Sequence, residues 1–323
     1  MSLQNATHTD PAAGRRRPNI VLILVDDMGF SDIGCYGSEI ETPNLDRLAS
    51  GGVRLTQMYN GARCCPTRAS LLTGLYPHQA GVGHMVNNLG VPSYQGYLND
   101  QCVTIAEALE PAGYRTYMSG EWHVGGQYST KPDEWKAGQP GFPTPLQRGF
   151  DRHYGTMAGA GSFFNPHTLM RDGEFVEPEG EHYYYTDAIG DAAAEMIREA
   201  GDDPFFLYVA FTAPHWPLHA LEEDIAKYRG KYRKGWDALR QARHERLKEI
   251  GIVTGEWEIT PRDEKAPAWE SLSAQDQDWE DARMAVYAAQ IDRMDQNVGK
   301  IVRALQEQGV EQETLVMFLS DNG

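Results

Sequence analysis

The sequence predicts an α/β fold built on a mixed, largely parallel central sheet with helices on both faces. Two observations carry that expectation. Apolar runs of strand length alternate with helical stretches along the chain. The first run, Asn19 to Val25, is an unbroken series of β-branched residues and leucines, as expected of a strand covered on both faces. With 323 residues, the chain can bury roughly 75% of its unfolded surface without disulfide staples. Its 41% apolar and 23% charged residues exclude disorder, collagen and coiled coil.

The remaining elements follow in order. Pro43 to Ser50 reads as a short helix, with Thr42 as N-cap, Pro43 at the first helical position and Gly51-Gly52 ending it. Val53 to Tyr59 reads as a strand. Pro66 to Leu72 is helical, again opened by proline. Thr104 to Leu109 is a helix closed by Pro111-Ala112-Gly113, and Tyr114 to Met118 is a strand. Asp187 to Glu199 is an amphipathic helix followed by the strand Phe205 to Phe211. A long helix runs from Ala282 to Gln308, and Thr314 to Leu319 is a last strand. The Gly-, Pro-, Tyr- and Phe-rich stretch from Lys131 to Tyr185 reads as insertion loops at the site. The expected organisation is a polar, disordered leader over residues 1–17 and one catalytic α/β domain over residues 18–323.

Charge narrows the partners. Lys and Arg number 29 against 46 Asp and Glu, a net charge of −17 that repels nucleic acid and other polyanions. No stretch approaches the roughly 20 apolar residues of a membrane span. Arg15-Arg16-Arg17 before the first apolar run imitates a signal peptide, but the run is short and ends on Asp26-Asp27. A cytoplasmic location is expected, or a periplasmic one if a leader has been removed. Cys35, Cys64, Cys65 and Cys102 are too few for a disulfide scaffold.

Parallel α/β sheets bind ligands beyond the carboxyl ends of their strands. Asp26-Asp27 follow the first strand there, and Asp321-Asn322 follow the last. Either pair alone reads most simply as a turn or helix cap. If the two strands are neighbours, three carboxylates and an amide converge, an oxygen-only set suited to calcium or magnesium. The segment from Cys64 to Gly74 places a cysteine just before a helix start, where free amides and the helix dipole favour an anionic or hydrated species. Arg68, on the first turn, can fold back to it. That chemistry fits an activated cysteine, and equally a buried structural Cys64-Cys65 pair.

Cys64-Cys65-Pro66-Thr67-Arg68, followed by Leu72-Thr73-Gly74, resembles the Cys-x-Pro-Ser/Thr-Arg signature of the formylglycine-dependent sulfatases, in the alkaline-phosphatase-like superfamily. Pro18 to Asp27, Thr42 to Asp46, Gly113 to Thr116, Ala213-Pro214-His215-Trp216-Pro217 and Ser320-Asp321-Asn322-Gly323 look like further landmarks of that family, in its order, and the bacterial arylsulfatase type is most similar. The resemblance implies hydrolysis of small sulfate esters of the aryl type. It implies that Cys64 is oxidised to formylglycine by a separate formylglycine-generating enzyme, with Pro66 and Arg68 in the recognition signal. Asp26, Asp27, Asp321 and Asn322, with the residue derived from Cys64, would hold Ca2+, with Mg2+ as the substitute. Arg68 would orient the formylglycine, Asp321 would take a proton from its hydrate, and His123 would serve the same group. His215 would contact sulfate and act as general acid, with Trp216 beside it as a substrate contact; His219 reads as an ordinary histidine.

Two features depart from that pattern. Family members usually carry lysine where Gly120-Glu121-Trp122-His123 has Glu121, so an attraction for sulfate becomes a repulsion. At ~4 Å and an effective dielectric near 20, one such pair is worth roughly 4 kcal/mol. Three states of Glu121 are open: turned away, protonated, or paired with a cation. The resemblance also implies a second lysine and a small C-terminal subdomain beyond Gly323, so the chain reads as incomplete at that end. These departures leave two alternatives, a phosphonate or phosphate monoester hydrolase of the same superfamily and a catalytically impaired sulfatase-like protein.

Overall fold

The computed structural model describes residues 17–323; the leader expected over residues 1–17 lies almost wholly outside the described residues. In chain order the regular elements are β1 (Asn19–Asp26), α1 (Pro43–Ser50), α2 (Cys64–Thr73), α3 (Pro77–Ala80), α4 (Ile105–Leu109), β2 (Arg115–Gly120), β3 (Arg152–Thr156), β4 (Leu169–Arg171) and β5 (Glu174–Phe175). They continue with α5 (Tyr185–Glu199), β6 (Phe205–Pro214), α6 (Glu222–Tyr228), α7 (Trp236–Glu249), α8 (Ala274–Glu307) and β7 (Thr314–Ser320).

The strands form one seven-stranded sheet in the order β5-β4-β3-β2-β6-β1-β7. β3, β2, β6, β1 and β7 run parallel, and β4 and β5 add antiparallel at one edge. The mixed, largely parallel sheet with helices on both faces is therefore observed. The two-residue period of the strands builds two cores. Val21, Ile23, Val25, Leu207, Val209 and Phe211 pack under α5 and α8 on one face. Leu22, Leu24, Met118, Phe206, Tyr208 and Ala210 pack on the other with Ala69 and Leu72 of α2, Trp122 and Phe150.

Several local expectations are corrected. Val53 to Tyr59 is not a strand. Val53, Leu55, Met58 and Tyr59 are exposed, and with no ladder partner among the described residues an extended run gains nothing from β-propensity. The stretch 131–185 is not only loops, since β3, β4 and β5 lie within it. α8 begins at Ala274, eight residues before the expected Ala282, and α6 and α7 fill a region in which no helix was expected. Thr42 stands at the N-cap of α1 without capping through its side chain. Asp295 of α8 does so instead, its carboxylate accepting from Asn44 N at 3.1 Å and Leu45 N at 2.8 Å.

His153 on β3 is fully buried. Burial pulls its pKa from 6.5 down to about 4, outweighing a Gly120 backbone contact and the Asp172 charge. The folded state thus holds the neutral ring while the unfolded chain protonates first. This contribution is complete above pH 6.5 and is lost as pH falls toward 4, in all roughly 3 kcal/mol. Urea midpoints should fall across that window, and His153→Gln should flatten the decline; parallel profiles for the two proteins would refute the assignment.

Candidate active site

β1 and β7 are adjacent and parallel, with Val25 opposite Ser320. Their carboxyl ends therefore bring Asp26-Asp27 beside Asp321-Asn322. Asp27 N donates to Asp321 Oδ1 at 3.4 Å, and Asn322 Nδ2 donates to Asp27 Oδ1. Asp27 itself has a φ of 63°, uncommon for a non-glycine residue and typical of backbone held in place by its surroundings.

α2 begins at Cys64, two residues before the expected Pro66, so the cysteine is the first residue of the helix and the proline does not open it. Arg63, in extended conformation, makes no side-chain cap, so the first-turn amides stay free beside the thiol. Thr67 ties this turn to β7, accepting from Gly61 N at 2.8 Å and donating to the Asp321 carbonyl at 2.7 Å. The Cys64 pKa is lowered to about 4 by a hydrogen bond from Cys65 and by His123 and Arg68, which together outweigh burial. Cys64, Cys65 and His123 form one tight group, and Asp26, Asp27 and His215 another.

Arg68, fully buried, lies between the strand ends. Its Nη2 is 3.0 Å from Asp26 Oδ2, 3.1 Å from Asp321 Oδ2 and 3.4 Å from Glu121 Oε1, and Nη1 donates to the Glu121 carbonyl at 2.9 Å. One guanidinium cannot balance Asp26, Asp27, Glu121 and Asp321. Burial, aided by the Glu121 charge, raises Asp26 well above the carboxylate range. Burial raises Asp321 to about 6 against the pull of Arg68. Asp26 Oδ1 is buried without a hydrogen-bond partner. A surplus of buried carboxylate oxygens, two of them (Asp26 Oδ1 and Glu121 Oε1) without a hydrogen bond, fits a divalent cation with oxygen ligands. Asn322 would present its Oδ1 to such an ion after an amide flip.

The residues flanking this centre come from the ends of β2 and β6. Gly120 has a φ of 119°, and a Cβ there would strike the Ala210 backbone, so the chain turns sharply after β2. Glu121 N then donates to Ala210 O at 2.8 Å, Trp122 N to Thr156 O at 2.9 Å and His123 N to Met157 O at 3.2 Å. His123 has a φ of 50°. Burial lowers its pKa, but the adjacent Cys64 and Glu121 and their charges push it up to about 9. Glu121, left open by the sequence, is paired with cations: its Oε1 is 3.0 Å from His123 Nδ1 as well as near Arg68. Burial opposes its ionisation, and Arg68 and His123 outweigh that, holding it below the usual carboxylate range.

His215 follows β6. Its Nδ1 donates to Trp216 O at 2.5 Å, which turns Nε2 to Asp27 Oδ2 at 3.3 Å. Trp216 is 68% exposed, standing at the rim and not inside the site. The expected catalytic and metal positions Asp26, Asp27, Cys64, Arg68, His123, His215, Asp321 and Asn322 are thus brought to one sheet edge. The sequence reading missed the loop after β3. Gly159 lies against the His123 imidazole so closely that any Cβ would overlap Nδ1 and Cε1, and Ala160 N donates to Glu121 Oε2 at 3.2 Å. The Gly-rich run 159–161 was the available signal.

The carboxyl edge of the parallel strands thus gathers a cysteine at a helix start, a buried arginine, the strand-end pairs Asp26-Asp27 and Asp321-Asn322, and two histidines. The Sulfatase family model matches residues 18–323, and the chain belongs to the sulfatase family. It is 37% identical to an arylsulfatase of Klebsiella aerogenes over 97% of this chain and 67% of that one. It is 34% identical to an uncharacterised sulfatase of Schizosaccharomyces pombe over 96% and 58%. With human arylsulfatase A the identity is 30% over 95% and 52%. Among solved structures, Ps i-CgsB bound to k-i-k-neocarrahexaose superposes with a TM-score of 0.67 at 27% identity, covering 95% of this chain and 59% of that one. A phosphonate monoester hydrolase of Agrobacterium radiobacter shares the fold at a TM-score of 0.58 and 22% identity, covering 94% and 62%. The chain thus spans about half to two-thirds of the length of these relatives.

Gly159→Ala should displace the His123 ring and so weaken its hold on Cys64. Alkylation of Cys64 by iodoacetamide at pH 7, mapped by peptide mass, should slow roughly tenfold, toward the small thiolate fraction of an ordinary cysteine. An unchanged rate in a folded variant would show that the ring does not depend on this contact.

Proposed function

We propose that the chain is the catalytic part of a sulfuric ester hydrolase acting on small sulfate monoesters of the aryl type, through a formylglycine made from Cys64 and a calcium ion. The carrying observation is the meeting of Asp26-Asp27 with Asp321-Asn322 at the ends of β1 and β7, with Arg68 between Asp26 and Asp321 and Cys64 on the same helix as Arg68. Asp26, Asp27, Asp321 and Asn322 would hold the ion, which when bound would polarise the sulfate and favour a deprotonated nucleophile, the role of a Lewis acid. The aldehyde hydrate derived from Cys64 would supply the attacking oxygen.

The protein groups divide the remaining work. Arg68 fixes the strand-end carboxylates and orients the residue one turn before it. Asp321 is the base beside position 64 that can take a proton, and His123, held as an imidazolium, can hold the diol oxygen by charge. His215 presents Nε2 toward Asp27 and the cleft, where it can protonate a leaving alkoxide or phenolate. Trp216, exposed next to it, offers a flat surface to the organic part of an ester. The second reading, an impaired relative, draws on Glu121, whose carboxylate adds negative charge where an anion would bind.

Co-expression with a formylglycine-generating enzyme should convert Cys64, read as the mass of the tryptic peptide Cys64 to Arg68. The converted protein should then hydrolyse an aryl sulfate faster than matching phosphate or phosphonate esters. Full conversion without sulfate turnover would favour the impaired reading; an untouched thiol beside a converted control would sink the mechanism. Calcium should raise the melting temperature of the unconverted protein, by roughly 2.7 kcal/mol of stabilisation at a hundred times its dissociation constant. Asp26→Asn should abolish that rise, and an equal rise in the variant would place the ion elsewhere.

A further inference from the structure

We propose that Glu121 is a positioning residue, whose carboxylate fixes the His123 imidazole toward Cys64 and fixes Arg68 between the two strand ends. For turnover this rests on the function proposed above; the orientation of the two side chains does not.

The contacts are ion pairs in close approach, since Glu121 Oε1 and His123 Nδ1 make no hydrogen bond of good geometry. Glu121 is 0% exposed, and each carboxylate oxygen faces a donor. Oε1 faces His123 Nδ1 at 3.0 Å and Arg68 Nη2 at 3.4 Å, and Oε2 accepts from Ala160 N at 3.2 Å. A buried carboxylate is tolerated only with such partners. Its own backbone is held as well, the amide bonding Ala210 O and the carbonyl accepting from Arg68 Nη1 at 2.9 Å. Backbone and side chain of one residue therefore grip both flanking cations.

The consequence for His123 is specific. With Nδ1 facing a carboxylate, the imidazole stands between Glu121 and Cys64, whose sulfur lies within 4.8 Å of a ring nitrogen, so that carboxylate, imidazole and sulfur follow in series. This is the arrangement in which a third group orients the partner of a nucleophile. Gly159 closes against the same Nδ1 edge, since any side chain there would occupy the ring's place. A lysine at position 121 could neither accept from Nδ1 nor offset the charge of Arg68. The residue that looks like a defect in the anion site is, in this arrangement, the support of its histidine.

The test compares Glu121→Gln, nearly the same in shape, with the unaltered protein. Alkylation of unconverted Cys64 by iodoacetamide at pH 7 should slow roughly tenfold, and in converted protein kcat for an aryl sulfate should fall while KM stays. In a His123→Ala background, adding Glu121→Gln should change the alkylation rate no further, as expected of a residue that acts through the histidine. If Glu121→Gln does not fold, Glu121→Asp carries the same comparison. Normal alkylation in a folded Glu121→Gln, or an undiminished effect without His123, would overturn the assignment. So would faster turnover in Glu121→Lys than in the unaltered protein. If the alkylation pattern holds while no protein turns over aryl sulfate, the proposed function fails and the assignment of Glu121 stands.

Discussion

A single buried guanidinium organises this molecule's functional edge. Arg68 touches carboxylates from the first strand, the last strand and the turn after β2, three places that only a closed sheet brings together. Truncating one member of such a group leaves an uncompensated buried charge, whose cost is commonly about 3–5 kcal/mol. The same arrangement is unfinished electrically. Burial first, and then the excess of four carboxylates over one guanidinium, make Asp26 and Asp321 retain protons more readily than exposed acids do, and the cleft is predisposed to a divalent cation.

Around that centre the backbone is held in unusual conformations at the residues that matter. Asp27, His123 and Ala160 all have positive φ, each at a cost on the order of 1–3 kcal/mol. The sheet supplies what offsets it. β1 and β6 are buried almost throughout, and α8 lies along them, Gln290 reaching the His215 carbonyl at 3.4 Å. Rigid packing below thus fixes the turns above, which is how a parallel sheet commonly carries its chemistry.

The strand ends were legible because β1 and β7 are apolar runs that stop abruptly on acids, and a parallel sheet places such ends together. The nucleophile helix was legible from Pro66 and from the ordered landmarks around it. Other features depend on partners distant in sequence. Val53 to Tyr59 has the composition of a strand, yet whether it pairs is decided by what lies beside it. Thr42 has the right chemistry for a cap, yet Asp295, some 250 residues on, takes the role. β4 and β5 are three and two residues long, too short for periodicity to register. Glu121 is the sharpest case: charge alone marked it as repulsive, and only the neighbours Arg68 and His123 show that its negative charge is matched.

The bond from Thr67 to the Asp321 carbonyl spans 254 positions, and it bears on when the centre can form. A chain made from its amino terminus exposes α2 and its cysteine long before β7 exists to pair with β1. Closing so large a loop comes late in folding, after the local helices. During that interval Thr67 lacks the carbonyl it bonds, and the acids after β1 lack the neighbours that β7 brings. The order of synthesis and the order of assembly together make this edge one of the last parts of the molecule to be completed.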